Sequence, residues 1–341
     1  MLVTGHTGFK GAWLALWLES AGAAVFGLAL DPPTTPSLHA LAGVGGGAGD
    51  RVDVREKQAV ASRLRAVEPE VVFHLAAQSL VRAGFADPVG TYAVNVVGTA
   101  NVLESVRGCP SVRAIVGVTS DKVYEPHPDG HAHREDARLG GVDPYSSSKA
   151  ACELVVAAYR RSYLAPAGVG VATARSGNVI GGGDWAVDRI VPDVVRALER
   201  SQTVSLRHPQ AVRPWQHVLD PIRGYLLLAQ NLLEAPQEAP AALNFGPDPA
   251  DGCSVAELVE RLSDAFGGKP GWRADEEAPA VPETQELRLD SSRAKTALGW
   301  SPLLGLDEAL RWTAEWYRAL FSGEDVRAFS LRQIAAYQEI A

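Results

Sequence analysis

The sequence predicts an α/β fold in which a doubly wound parallel sheet is followed by a smaller C-terminal lobe. Three observations predict it. Short apolar strands alternate with helical patterns over the first half of the chain. A glycine-rich turn joins the first strand to the first helix. After about residue 180 the alternation becomes irregular, and Pro- and Ala-rich stretches separate shorter helices.

The first elements follow one another in the order strand, glycine turn, helix, strand. The first strand, 1–4, is short, which suggests a trimmed or late start, and the turn at 5–8 leads into a helix from about 10–21. A second apolar strand, 24–30, ends at Asp31 because the prolines that follow cannot continue it. These elements form the opening unit of a Rossmann fold.

The rest of the sheet is predicted from the same alternation. Further strands are expected at 71–75, 114–118 and 170–174, and further helices at about 56–66, 88–107 and 147–164. We therefore expect a Rossmann domain over 1–176, to which segments near 215–246 return. The remainder, 177–341, is expected to form mainly the substrate-binding lobe.

Composition and charge exclude several classes of function. The chain has 341 residues, of which 46% are hydrophobic, and a formal net charge of -8. An acidic protein lacks the positive face that phosphates require, so no nucleic-acid partner is expected. The spacing of Cys109, Cys152 and Cys253 fits neither a metal site nor a disulfide framework, so we expect buried thiols and no metal. No leader pattern and no run of about 18 apolar residues occurs, which predicts a cytoplasmic protein without a membrane partner.

The glycine turn and a later aspartate together indicate a dinucleotide site. Gly5, Gly8 and Gly11 permit a tight turn and close approach of a pyrophosphate to the N terminus of the first helix. Asp31 ends the second strand, where a carboxylate accepts hydrogen bonds from ribose hydroxyls and repels a 2′-phosphate, which favours NAD over NADP. An ordinary glycine turn with a solvated aspartate is the alternative. Asp53 follows a possible third strand and is either a contact to the adenine edge or a surface turn residue.

A tyrosine and a lysine spaced four residues apart indicate acid–base chemistry. Tyr145 and Lys149 lie on one face of a predicted helix. The lysine charge is expected to lower the pKa of the phenol from about 10, so that the phenolate acts as a base near neutral pH. Glu153, one turn further on, is expected to make a helix-surface contact.

These motifs, with Leu75-Ala76-Ala77, Asn95 and Ser120, resemble the extended short-chain dehydrogenase/reductase family. The resemblance covers most of the chain and supports NAD as the cofactor. The predicted cofactor-binding residues are Gly5, Thr7, Gly8, Phe9, Gly11, Asp31, Asp53, Leu75, Ala76, Ala77, Asn95, Tyr145 and Lys149.

Four longer strings, at 3–11, 119–124, 177–185 and 213–218, resemble a narrower group, the CDP-glucose 4,6-dehydratases. Where sugar 4,6-dehydratases in general read Thr-Asp-Glu, this chain reads Ser120-Asp121-Lys122, as the CDP-glucose branch does. The resemblance implies CDP-glucose as the substrate, with Asn178 and Arg213 on its phosphate side. The substrate-binding residues it implies are Asn178, Asp184, Trp185, Arg189, Arg213, Trp215 and His217.

The resemblance also implies the catalytic residues and their order of action. Ser120 and Tyr145 hold the 4-hydroxyl of the sugar, Tyr145 removes its proton, and hydride passes from C4 to NAD while Lys149 supports the phenolate. Asp121 is then the acid for the departing 6-hydroxyl, and Lys122 acts at C5, as a neutral base or as an ammonium that stabilises the enolate. Hydride returns to C6, which leaves a 4-keto-6-deoxy sugar.

Other functions stay open at this point. A sugar-nucleotide 4-epimerase uses the same Tyr145 and Lys149 pair but needs no Asp121 and Lys122. A dehydratase for another nucleotide sugar is a second alternative, because the choice of cytidine rests on resemblance alone. A regulatory protein that only binds NAD would not need the tyrosine and lysine. The resemblance further implies a homodimer formed through the helices at 88–107 and 147–164.

Overall fold

The computed structural model describes residues 1–45, 51–126, 131–248, 252–268, 271–275 and 287–341. The strands are β1 (Leu2–Thr4), β2 (Phe26–Leu28), β3 (Val71–His74), β4 (Ala114–Val118), β5 (Gly170–Ser176), β6 (Val179–Ile180), β7 (Val204–Leu206), β8 (Val212–Pro214), β9 (Gln216–His217), β10 (Ala242–Phe245), β11 (Gly252–Ser254) and β12 (Trp272–Ala274). The α-helices are α1 (Phe9–Ser20), α2 (Leu38–Leu41), α3 (Lys57–Val67), α4 (Val81–Ala86), α5 (Pro88–Tyr92), α6 (Gly98–Arg107), α7 (Pro144–Tyr159), α8 (Ile190–Glu199), α9 (Leu219–Glu234), α10 (Val255–Phe266), α11 (Ser292–Leu298), α12 (Leu306–Phe321) and α13 (Val326–Glu339).

The central sheet has six strands in the order β10-β5-β4-β3-β1-β2, and every neighbouring pair is parallel. This confirms the predicted α/β fold. From β1 the chain first adds β2 on one side and then β3 on the other. In such sheets a crevice opens between the two strands at which the direction reverses, at their carboxyl ends. The order of strands therefore places a binding site beyond β1 and β3.

Helices cover both faces of this sheet. Along β3 and β4, Phe73 and Val116 point into a core formed with α1 and α9. Their neighbours Val72 and Ile115 point into a second core formed with α3, α6 and α7. Because side chains alternate between the two faces of a strand, each buried strand contributes to both cores.

Three segments differ from the prediction. The predicted helix at 88–107 contains a π-helical turn at Ala93–Val97, and the one at 147–164 begins at Pro144 and ends in a π-helical turn at Arg160–Leu164. In the first turn the carbonyl of Asn95 accepts hydrogen bonds from Thr99 and Cys152 instead of only from the helix backbone. The possible strand before Asp53 is only a single bridge between Ala29 and Arg51.

The later part of the chain contributes both to the sheet and to a separate layer. Helix α9 packs on β4 and β5, and β10 pairs with β5. Helix α12 packs on both α10 and α13, and α13 returns to α1, where Trp17 meets Tyr337 edge to face. The boundary at residue 176 stays a prediction. None of the helices in the described ranges is long and apolar enough to span a membrane.

Asp220 joins α9 to the C-terminal helices and gives a pH-dependent contribution to stability. Its carboxylate is fully buried and accepts hydrogen bonds from Leu303 N at 2.8 Å and from the Tyr337 hydroxyl at 2.6 Å. Burial raises the pKa of Asp220 from 3.8 to about 6. The folded protein therefore keeps the carboxyl proton up to about pH 6, whereas the unfolded chain releases it near 3.8.

We expect Asp220→Asn to remove this pH dependence, because the amide resembles the protonated carboxyl. The stabilisation from the bound proton is complete below the unfolded pKa and is lost as pH rises through about 6. Between about pH 4 and pH 8 the wild type should lose about 2 kcal/mol of unfolding free energy relative to the variant. Urea unfolding across this range measures it, with the exposed Asp136→Asn as a control. If the unfolding free energies of Asp220→Asn and the wild type changed with pH in the same way, the assignment would be contradicted.

Candidate active site

A cavity of about 940 Å³ lies beyond the carboxyl ends of the central strands, between the sheet and the segments around α8 and β7. Of the residues predicted for the site, those that line it are Gly5, Thr7, Gly8, Phe9, Gly11, Asp31, Asp53, Leu75, Ala76, Ala77, Ser120, Asp121, Lys122, Tyr145, Lys149, Asn178, Asp184, Trp185, Arg189, Arg213 and Trp215. The structure thus brings all but two of them, Asn95 and His217, around one cavity.

The glycine turn is shaped by close backbone contacts. Gly5 has a φ of +74°, and a Cβ there would lie 2.7 Å from the backbone nitrogen of Ala76. A Cβ on Gly11 would lie 2.2 Å from the carbonyl oxygen of Gly5. Only glycine fits these two positions. Helix α1 begins after Gly8 with no side-chain cap and no acidic residue in its first turn, so its N–H groups are available to an anion in the cavity.

The segment after β3 is held by hydrogen bonds from behind the cavity. The Thr4 hydroxyl accepts from the backbone N–H groups of Leu75 and Ala76, both at 3.1 Å. Asn95 does not line the cavity as predicted: its amide bonds to the backbone N–H and carbonyl of Gln78 at 2.8 and 3.0 Å and to the Ser148 hydroxyl at 2.8 Å. Asn95 therefore holds the wall of the cavity in place.

Two aspartates lie at one end of the cavity, each paired with an arginine. Asp31 is 87% exposed and meets the Arg51 guanidinium at 2.6 Å. Asp53 binds Arg55 at 2.6 Å, and this hydrogen bond holds the pKa of the Asp53 carboxyl below its ordinary value. At the end of β2, the exposed Asp31 carboxylate is free on its outer side to accept hydrogen bonds from a ribose.

The other end of the cavity holds the proposed catalytic side chains. The Ser120 hydroxyl donates to Asp121 Oδ1 at 2.8 Å and accepts from the backbone N–H of Lys122 at 3.1 Å. The Asp121 carboxylate is 2% exposed, and its Oδ2 has no hydrogen-bond partner among the described residues. Asp143 caps α7 through the N–H of Ser146, so Tyr145 stands in the first turn of that helix.

The protonation of the tyrosine differs from the prediction. Burial raises the pKa of Tyr145 to about 12, while a hydrogen bond with Ser120 and the charge of Arg189 act in the opposite direction. Lys149 donates to the carbonyl of Val118 at 3.3 Å, and burial lowers the pKa of its own ammonium group. The expected lowering of the phenol pKa by Lys149 is therefore wrong for this structure, because burial is the dominant effect.

Lys10 also lines the cavity, although it is not among the predicted site residues. Its ammonium donates to the Ser176 hydroxyl at 2.8 Å and to the Tyr225 hydroxyl at 3.1 Å. Burial, together with the smaller effects of the charges of Arg189 and Lys149, lowers the pKa of Lys10 to about 7. The signal was present, since a lysine at the start of an otherwise apolar buried helix needs polar partners.

Three arginines, Arg82, Arg189 and Arg207, line the part of the cavity near α8 and β7. Arg189 meets Asp184 Oδ2 at 3.2 Å. In a second group, Asp188 lies between Arg82, at 2.8 Å, and Arg207, at 3.4 Å, and all three line the cavity. Several guanidinium groups in the lining of one cavity suit a ligand that carries phosphate groups.

His217 is the second predicted residue that lies elsewhere. Its ring is fully buried between Trp13, with ring centroids 6.4 Å apart, and Trp312, at 5.7 Å. Burial lowers the pKa of His217 to about 3, so the ring is neutral. The assignment to the substrate site is corrected: His217 belongs to the core because α1 and α12 enclose it.

Comparison with known proteins gives consistent matches along nearly the whole chain. A family model described as GDP-mannose 4,6 dehydratase matches residues 2–313. The CDP-glucose 4,6-dehydratase of Salmonella typhimurium is 43% identical, and the match covers 99% of this chain and 95% of that protein. The UDP-glucose 4-epimerase of Mycolicibacterium smegmatis is 28% identical, over 93% of this chain and 98% of the epimerase.

Two solved structures also match the fold over nearly the whole chain. DesIV of Streptomyces venezuelae, a dTDP-glucose 4,6-dehydratase with NAD bound, has a TM-score of 0.78 and 27% identity, covering 95% of this chain and 98% of DesIV. MoeE5 in complex with UDP-glucose and NAD has a TM-score of 0.78 and 25% identity, covering 94% of this chain and 99% of MoeE5.

Proposed function

Since this chain belongs to the GDP-mannose 4,6 dehydratase family, we propose that it is an NAD-dependent dehydratase that converts CDP-glucose into CDP-4-keto-6-deoxyglucose. One observation carries the proposal. Tyr145 and Ser120, which suit oxidation at C4, lie at the same end of the cavity as Asp121 and Lys122, which suit loss of water across C5 and C6. The choice of cytidine is supported by the 43% identical relative from Salmonella typhimurium.

The cavity fits NAD at the end formed by the glycine turn. The uncapped N terminus of α1 suits the pyrophosphate, and Asp31 suits the adenosine ribose. The chemistry that a bound NAD would supply is acceptance and return of a hydride, which no side chain can provide. The protein positions the cofactor and the sugar and moves the protons.

The first proton transfer is assigned to Tyr145. Its phenolate form accepts the proton of the sugar 4-hydroxyl, which Ser120 orients through a hydrogen bond. Because burial raises the pKa of this phenol to about 12, its ionised form depends on that hydrogen bond and on nearby positive charge. Arg189 is the protein's own source of this charge.

The second pair of proton transfers is assigned to Asp121 and Lys122. A ketone at C4 makes the C5 proton acidic, and Lys122 acts on it, while Asp121 protonates the departing 6-hydroxyl. The Asp121 carboxyl is enclosed, so the leaving hydroxyl meets an acid that water does not screen. Arg213, Arg189 and Asn178 hold the diphosphate at the other side of the sugar.

Incubation of the purified protein with NAD and separately with CDP-, UDP- and dTDP-glucose tests the proposal. Mass spectrometry should show loss of one water from CDP-glucose. Conversion without a change of mass would indicate an epimerase. Loss of water from UDP- or dTDP-glucose instead would show that the enzyme uses a different nucleotide base. A protein that binds NAD and converts none of the three would refute an enzymatic role.

The preference for NAD should depend on Asp31. In Asp31→Ala the carboxylate that repels a 2′-phosphate is lost, and Arg51, now 2.6 Å from that carboxylate, is released to bind the phosphate. We expect the ratio of kcat/KM for NADP to that for NAD to rise by about 10- to 100-fold. Glu56→Gln is the control, since Glu56 is an exposed acid outside the cavity. An unchanged ratio would show that Asp31 does not contact the ribose.

We also propose a homodimer formed by α7 and the helices from Pro88 to Arg107. Three apolar side chains on this surface are largely exposed: Val89 at 78%, Val97 at 51% and Leu154 at 63%. Such a surface is normally covered by a partner. The three buried, free cysteines suit a reducing compartment, so we further propose a cytoplasmic location.

A charge introduced on this surface should separate the dimer. We expect the double variant Val97→Glu/Leu154→Glu to sediment as a monomer at concentrations at which the wild type is a dimer, because two carboxylates per subunit would be buried without partners. Ile340→Glu, which also replaces a half-exposed apolar residue, is the control and should leave the mass unchanged. A dimeric double variant would place the interface elsewhere.

A further inference from the structure

A buried ion pair lies behind the active site, and no residue of the proposed mechanism accounts for it. Glu153 of α7 and Arg175 of β5 meet at 2.7 Å, and both side chains are about 95% buried. The predicted helix-surface contact of Glu153 is therefore wrong, because β5 covers this face of α7. Neither residue lines the cavity. A buried pair gains little net stability over apolar packing, so its presence calls for another explanation.

The pair is hydrogen-bonded to Thr119 and Tyr124, which lie on either side of the catalytic turn, the segment 120–122. The Thr119 hydroxyl, directly before Ser120, donates to Glu153 Oε1 at 2.5 Å. Tyr124, just after the turn, accepts at its hydroxyl from Arg175 Nη1 at 2.8 Å and donates to Asn244. The segment that carries Ser120, Asp121 and Lys122 is thus tied at both ends to one ion pair.

The same pair is fixed to the helix that carries the tyrosine and lysine. Glu153 lies four residues after Lys149 and eight after Tyr145, on the same face of α7. Its second carboxylate oxygen accepts from the Thr173 hydroxyl at 2.7 Å, which anchors it to β5. Burial alone would lower the pKa of Arg175, but the hydrogen bond and charge of Glu153 raise it above its ordinary value. The guanidinium therefore stays charged.

We infer that Glu153 and Arg175 are positioning residues, which hold Tyr145 and Lys149 of α7 at a fixed separation from Asp121 and Lys122 of the turn at 120–122. The inference rests on the proposed function, since it concerns the balance between its two steps. A displacement of about 1 Å between reacting groups can cost about 100-fold in rate. Loss of the pair's links to the turn should then change the balance between oxidation and water loss.

Thr119→Val cuts one link and leaves the ion pair in place. We expect kcat to fall by about 10-fold or more, with the KM for CDP-glucose changed less than about threefold. In single-turnover experiments the ratio of the rate of C4 oxidation, followed by nicotinamide absorbance, to the rate of water loss should change. Thr119→Ser keeps the hydroxyl, so kcat and the ratio of the two rates should both equal the wild-type values.

Thr173→Val is the matched control. It removes a hydroxyl that donates to the same carboxylate but lies outside the catalytic turn. A merely structural defect reduces the amount of active protein, so it lowers both rates equally and leaves their ratio unchanged. We expect that result for Thr173→Val and a changed ratio for Thr119→Val. The same wild-type ratio in both variants would overturn the inference.

A second set of variants separates stability from positioning. Glu153→Leu and Arg175→Met should each unfold at a lower temperature than the wild type, because each leaves a buried charge unpaired. The double variant should recover much of the melting temperature while its rate ratio stays altered. Recovery of wild-type kcat and ratio in the double variant would refute the positioning role. Failure of the wild type to lose water from CDP-glucose would refute the proposed function itself, and the inference with it.

Discussion

Asp121→Asn is expected to slow water loss strongly while oxidation at C4 continues. An amide has nearly the shape of the carboxyl and can still accept the hydrogen bond from Ser120, now 2.8 Å from Oδ1, but it cannot deliver a proton to the departing 6-hydroxyl. We expect formation of the 4-keto-6-deoxy product to slow by about 10³-fold. Reduced nicotinamide should accumulate on the protein, because the oxidised sugar waits for the slow step.

Rapid mixing with CDP-glucose, followed by nicotinamide absorbance and mass spectrometry, measures both steps. Asp136→Asn removes an exposed carboxylate whose partner is Arg134 and should behave like the wild type. Equal slowing of oxidation and water loss in Asp121→Asn would mean that Asp121 acts before the elimination step. Normal product formation would remove Asp121 from the mechanism.

Tyr145→Phe should have an effect of the same size on an earlier step. The phenol is the only group in the proposed mechanism that removes the proton of the 4-hydroxyl, so we expect kcat to fall by about 10³-fold, with no accumulation of reduced nicotinamide. The KM for CDP-glucose should change little, because Arg213 and Arg189 provide the binding of the diphosphate. The contrast with Asp121→Asn, where reduced nicotinamide does accumulate, assigns the two residues to different steps.

Tyr163→Phe controls for loss of a phenol, since the ring keeps its position over the Arg107 guanidinium, 5.0 Å from its centroid. This variant should retain wild-type kcat. Accumulation of reduced nicotinamide in Tyr145→Phe would show that another group removes the first proton. The proposed role of the tyrosine would then be wrong.

The predictions that succeeded depend on local backbone geometry. The glycine turn requires small residues at fixed spacing, and the strand that precedes it fixes where it lies in the sheet. The order of strands and helices follows from alternation of apolar runs, so the α/β fold is confirmed. The resemblance to CDP-glucose 4,6-dehydratases, made on four short strings, is likewise confirmed by the relative that matches 99% of the chain.

The predictions that failed concern residues whose neighbours come from distant parts of the chain. His217 is enclosed by Trp312, and Glu153 is paired with Arg175; neither partner is close enough in sequence to be inferred from spacing. The phenol pKa of Tyr145 is set by burial, which depends on how the whole cavity closes. Sequence patterns give spacing along one helix or strand, and they do not give what packs over it.

Strand β10 also determines when this protein can fold during its synthesis. It completes the edge of the sheet beside β5, although α8, α9 and several short strands lie between them in the chain. Until residues 242–245 have left the ribosome, β5 presents unpaired N–H and C=O groups at an open edge. A nascent chain, or a fragment that ends near residue 176, therefore exposes an apolar edge strand that can pair with other copies and aggregate.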